Sequence, residues 1–103
     1  MASYSVPAEC KRVLKHGILD HAAHQDLPAE CRDIFDLVKF EGHHEPRMAI
    51  NWRFAESVCA LKGLEAILVN VLLDRKYGLP HQEVVINTDH AQLFLMSCLI
   101  QEV

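Results

Sequence analysis

Over most of the chain the apolar residues recur at helical spacing. Cys10, Val13 and Leu14 follow i, i+3, i+4 behind Pro7-Ala8-Glu9, and Cys31, Ile34, Phe35 and Val38 do the same behind Pro28-Ala29-Glu30. Proline suits a first helical turn, where its missing N–H costs nothing, and the following glutamate faces the positive end of the helix dipole. Both segments therefore read as helix starts. Their offset of 21 residues is the grammar of helix N-termini used twice, not a duplication. Gly17 is placed to end the first helix in a left-handed cap. Ile18 to Asp26 reads as a polar connector, and Glu41-Gly42-His43-His44-Glu45-Pro46 reads as a loop by its Gly, Pro and charge content.

From Asn51 to Tyr77 a helical pattern runs without proline, and Arg75 and Lys76 ahead of Gly78 make a helix stop. In its second half Ile67, Leu68, Val69, Val71, Leu72 and Leu73 point nearly all round the axis, so this half needs cover on most sides. Glu83-Val84-Val85-Ile86-Asn87 is a β-branched run and predicts a strand. Asp89 with Gln92 gives a capping-box start to a last apolar helix, His90 to about Ile100. The predicted fold class is mainly α with one short β-strand, divided into an N-terminal helical segment, 1–46, and a second segment, 47–103. A lone strand cannot be a sheet, so the pattern predicts either a partner or a truncated piece of a larger architecture.

Composition narrows the classes. The chain has 103 residues, half of them apolar, which allows one domain with one modest core. Its net charge of −4 opposes sequence-independent nucleic-acid binding, which needs Lys and Arg to neutralise phosphates. The N-terminus lacks the charged and apolar regions of a signal peptide. The longest apolar stretch, Ala66 to Leu73, has eight residues where a bilayer needs about 20. A cytoplasmic protein with no nucleic-acid or membrane partner is expected. Cys10, Cys31, Cys59 and Cys98 lie 21, 28 and 39 residues apart without a CxxC, the usage of free buried thiols.

Few constellations suggest chemistry. His16, Asp20 and His24 fall at helical spacing, and His43 and His44 share a loop, but the further ligands of a zinc site are missing. Solvated surface histidines are the expectation, with no metal. Nothing fixes a base beside any thiol, and no phosphate-binding or dinucleotide fingerprint is present. Glu56 stands out, because a carboxylate near a helix N-terminus with Arg53 one turn back can stay ionised and be aimed at a reaction centre. The plain alternative is a glutamate paired with Arg53.

The stretch from Ile50 to Ile100 resembles the class III CoA-transferases, the CaiB/BaiF family that includes the α-methylacyl-CoA racemases. The parts in order are Glu56, the Ala- and Leu-rich run to Leu73, Asp74-Arg75, the turn Tyr77-Gly78-Leu79-Pro80-His81-Gln82, the Val-rich strand Glu83 to Asn87, and the apolar run from Ala91 to Ile100. The wording Ile50-Asn51-Trp52-Arg53-Phe54-Ala55-Glu56-Ser57 is similar to that of fungal members. The resemblance implies a fragment of an α/β CoA-transferase fold, with Glu56 where the family has its catalytic aspartate. It implies an acyl-CoA thioester as substrate, no resident cofactor, and either CoA transfer to a carboxylic acid or racemisation of an α-methylacyl-CoA. It also implies a homo-oligomer or a larger protein partner. The competing class is a non-catalytic helical module docking through Ile67 to Leu73 and Phe94 to Ile100.

Overall fold

The computed structural model describes residues 6–22, 26–42 and 52–91, with side chains for 8–22, 26–42 and 56–91. Helix α1 (Val6–Arg12) runs directly into a π-helical stretch, Val13–Leu19, and ends in the short α2 (Asp20–Ala22). The widened turn shows in the Asp20 N–H, which donates to the Lys15 carbonyl five residues back. Gly17 therefore does not terminate the helix. Among the described glycines only Gly42 and Gly78 adopt positive φ, so the expected left-handed cap is replaced by a continuation.

The second expected helix is a single turn, α3 (Glu30–Asp33), followed by a 3-10 turn at Phe35–Leu37 and then by strand β1 (Val38–Glu41). Val38, read as the next position on a helical face, instead opens a strand. The reason is a competing period of two. Val38 and Phe40 are buried while Lys39 and Glu41 are exposed, and alternation of that kind seats a half-buried strand.

Helix α4 (Trp52–Tyr77) and strand β2 (Val84–Asn87) match the expected elements. Gly78, at φ 65°, closes α4 as its N–H donates to the Asp74 carbonyl at 2.8 Å. Residues 88–91 begin another helical turn. Its cap is Asn87, whose Oδ1 accepts from the His90 N–H at 3.1 Å, so the turn starts two residues before the expected Asp89 cap. Gln92 to Val103 lie outside the described residues, as do Cys98, His24, His43 and His44.

The expected strand has a partner. β1 and β2 pair in parallel, with Val38 opposite Val84 and Phe40 opposite Ile86. Two parallel strands need a crossover, which α4 supplies. The chain is thus mainly helical with a short two-stranded parallel sheet.

One core lies on the side of the sheet that carries Val38 and Phe40. It takes Cys10, Leu14, Leu19 and Ile34 from the first 46 residues and Cys59, Ala60, Ile67 and Val71 from α4. Close contact here depends on Gly63, where a Cβ would fall 2.7 Å from Phe40 Cζ and 3.0 Å from Leu14 Cδ2. At the turn after α4, Asn70 Oδ1 accepts from the Gln82 N–H at 2.9 Å and its Nδ2 donates to the Gln82 carbonyl at 3.2 Å. This amide stands in for a strand neighbour and fixes the entry to β2. The outer face of α4 stays open, with Leu61 54% and Leu72 53% exposed. No helix among the described residues is long and apolar enough to cross a membrane.

Candidate functional site

Because α4 follows β1, its first turns return over the carboxyl ends of the parallel strands, the edge at which open α/β sheets bind ligands. Glu56 is the fifth residue of α4 and only 6% exposed. Cys59, one turn on along the same face, is fully buried and donates through Sγ to the Thr88 carbonyl at 3.9 Å, just past the end of β2. Thr88 in turn donates through Oγ1 to the Glu41 carbonyl at 2.7 Å, at the end of β1. These bonds hold the start of α4 against both strand ends.

Gly42 makes the junction tight. Its φ of 113° suits glycine, and a Cβ there would stand 2.3 Å from Thr88 Oγ1 and 3.0 Å from Asp89 Oδ2. No larger residue fits without displacing the threonine that joins the strands.

The electrostatics around Glu56 come from distant parts of the sequence. Cys10 of α1 shares a hydrogen bond with Cys59, and that bond, followed by burial, pushes the Cys10 thiol far above the ordinary thiol value. Cys59, the partner in that bond, moves below the ordinary thiol value because of it, although burial and the charges of Asp89 and Glu56 oppose the shift; Glu56 also raises Cys10. Cys31 is also raised, by burial before the charge of Glu30. A buried carboxylate beside a hydrogen-bonded pair of thiols at the carboxyl edge of a parallel sheet is suited to attack or proton transfer on an uncharged, polarised group such as a thioester carbonyl. Arg53, the expected partner of Glu56, has its side chain outside the described residues.

Of the residues singled out in the sequence, the structure buries Glu56 at this edge and buries Cys10, Cys31 and Cys59 as free thiols. His16 and Asp20 do meet, Nδ1 to Oδ2 at 3.1 Å, but on the surface and with Arg32 also on Asp20 at 3.3 Å. Among the described residues no three His, Cys, Asp or Glu side chains converge to hold a metal ion. Gly42, Thr88 and the Cys10–Cys59 contact were not visible as site residues in the sequence. A Gly directly after an alternating apolar and charged run was the available signal for the first, and the other two had none.

A groove of about 550 Å3 opens between α4 and β2, with Lys62, Ala66, Val69, Val84, Ile86 and His90 among its lining residues. Glu56 does not line it.

Comparison with known proteins gives a relative with a stated activity. Over 102 residues, 99% of this chain, the sequence is 43% identical to the acetyl-coenzyme A transferase nodX of Hypoxylon pulicicidum. The relationship is to a CoA transferase. The chain spans 17% of that relative's length. No protein-family profile matches the chain, and no solved structure matches it.

Proposed function

We propose that the chain is the carboxylate-bearing segment of a class III, CaiB/BaiF-type CoA-transferase and acts on acyl-CoA thioesters. The observation that carries the reading is the identity to an acetyl-coenzyme A transferase along nearly the whole chain. The burial of Glu56 at the carboxyl edge of the sheet supports it. In this reading the Glu56 carboxylate attacks the thioester carbonyl and CoA leaves as the thiolate, giving a mixed anhydride. The thiolate then attacks the glutamyl carbonyl, releasing the acyl group as its carboxylate and leaving a glutamyl-CoA thioester. An acceptor carboxylate takes the CoA by the same two steps in reverse. Positioning supplies much of the rate for so weak a nucleophile, and in the relative most of the chain lies outside the matched segment.

The test is to incubate the chain with acetyl-CoA, trap with hydroxylamine and map the product by peptide mass. A hydroxamate at Glu56, absent in Glu56→Gln, is the expected result. Trapping elsewhere, or none at Glu56, removes it from the chemistry.

A second reading, a non-catalytic helical module that docks on a larger partner, is favoured by the exposure of Leu61, Leu68, Val69 and Leu72 on one side of α4. Binding of an apolar dye that falls in Leu68→Glu and Leu72→Glu supports it, and no dye binding by the wild type counts against it.

A further inference from the structure

The acyl-transfer steps leave one reactive pair unused. Cys10 on α1 and Cys59 on α4 lie 49 positions apart in sequence, yet both are fully buried in one core and a hydrogen bond joins them. Cys10 is its donor, because the bond holds the Cys10 proton and eases loss of the Cys59 proton, while the Cys59 S–H is directed on to the Thr88 carbonyl. Cys31, equally buried, is not a partner in that bond.

All three described cysteines are free thiols. A disulfide forms without backbone movement only between side chains that already converge, and a hydrogen bond between two thiols is such a convergence. A dithiol in which one sulfur gives up its proton more easily than the other is also divided into an attacking and a resolving partner. Burial selects the oxidant, since a fully covered sulfur is reached by a small hydroperoxide and not by a bulky disulfide such as oxidised glutathione.

We infer that Cys10 and Cys59 are a dithiol that hydrogen peroxide converts to a disulfide, latching α1 to α4. The Cys59 sulfur attacks one peroxide oxygen, the O–O bond breaks, and the departing hydroxide takes the Cys59 proton as water, leaving a sulfenic acid. The Cys10 sulfur then attacks the Cys59 sulfur, the S–O bond breaks, and hydroxide leaves with the Cys10 proton as a second water. Two thiols are oxidised to one disulfide while one peroxide is reduced to two waters. The link removes the S–H that Cys59 gives to the Thr88 carbonyl and ties α1 to the turn of α4 that follows Glu56. It does not rest on the acyl-transfer reading.

The experiment treats the native full chain with hydrogen peroxide and, separately, with oxidised glutathione. Peroxide is removed with catalase, the protein is unfolded in urea containing iodoacetamide, and its peptides are mapped by mass without reduction. A linked Cys10–Cys59 peptide that dithiothreitol abolishes is expected after peroxide, with Cys31 alkylated. Because the link closes a long loop, the urea midpoint of the oxidised protein should stand roughly 2 to 4 M above that of the reduced one. Cys31→Ala combined with Cys98→Ala should form the link as fast as wild type. Cys10→Ala should gain no stability from peroxide and should hold a sulfenic acid at Cys59, captured by dimedone. Alkylation of both Cys10 and Cys59 after peroxide, a link to Cys31 or Cys98 in its place, or an unchanged midpoint in the linked protein overturns the proposal. Linking by oxidised glutathione as fast as by peroxide would mean that α1 and α4 part freely, and overturns the latch.

Discussion

Asn70 offers the sharpest test of how the crossover is held. It is 7% exposed, and its amide makes both bonds to the Gln82 backbone and a third, to the Ala66 carbonyl at 3.2 Å. Asn70→Ala removes two bonds between elements, at about 1 kcal/mol net each, and leaves the Gln82 N–H short of a partner at a further cost of about 1 kcal/mol. Alanine returns roughly 0.6 kcal/mol through its better helix propensity. The balance is a loss of about 2 kcal/mol. With a urea dependence of about 1 kcal/mol per molar for a small protein, the unfolding midpoint should fall by about 2 M. The single tryptophan, Trp52, reports the transition by fluorescence. Asn70→Leu keeps the side-chain volume but makes no hydrogen bond, so it should lose nearly as much. A midpoint for Asn70→Ala within about 0.5 M of wild type would refute the clamp, and full recovery in Asn70→Leu would show that packing, not hydrogen bonding, holds the turn.

Two further outcomes follow from the core. Gly63→Ala gains about 1 kcal/mol of helix propensity, but its methyl meets Phe40 and Leu14 below contact distance, and overpacking costs about 1 to 3 kcal/mol. A net loss of about 1 kcal/mol is expected by the same urea assay, and a stabilised variant would mean that α4 slides freely over β1. The Cys10 thiol, raised in the folded protein above its ordinary value of 9.0, stays neutral in the fold while the unfolded chain's thiol ionises. Its contribution is therefore complete below pH 9 and is lost as the pH climbs above it, at up to about 1.4 kcal/mol per pH unit. Urea midpoints measured from pH 8 to 10.5 should fall less steeply in Cys10→Ala, and parallel profiles would contradict the assignment.

What could be read from the sequence was set by length and by locality. α4 declared itself because 26 residues of helical pattern end in two bases and a glycine, and β2 because three β-branched residues in succession fit little else. β1 was hidden by its size. Four residues, with Val38 also fitting the helical period of Cys31, Ile34 and Phe35, give the period of two little room, and what decides the matter is pairing with a strand far along the chain. The π-helical stretch differs from an α-helix by a shift of one residue in hydrogen bonding, which no residue type there encodes. Glu56 was singled out by its place near a helix N-terminus and in a family-like segment, whereas Cys10 and the turn after β2 act at this edge only through the tertiary fold.

The parallel pairing also sets an order of assembly. Val38 and Val84 are partners across 46 positions of sequence, and each strand offers four residues to repay the entropy of closing so long a loop. α4 needs only local bonds and can form while the ends remain apart. The helix must therefore gather the strands, not the strands the helix. Refolding should show helical signal before the amides of β1 and β2 gain protection from exchange, and in the native protein those amides should be the earlier to open.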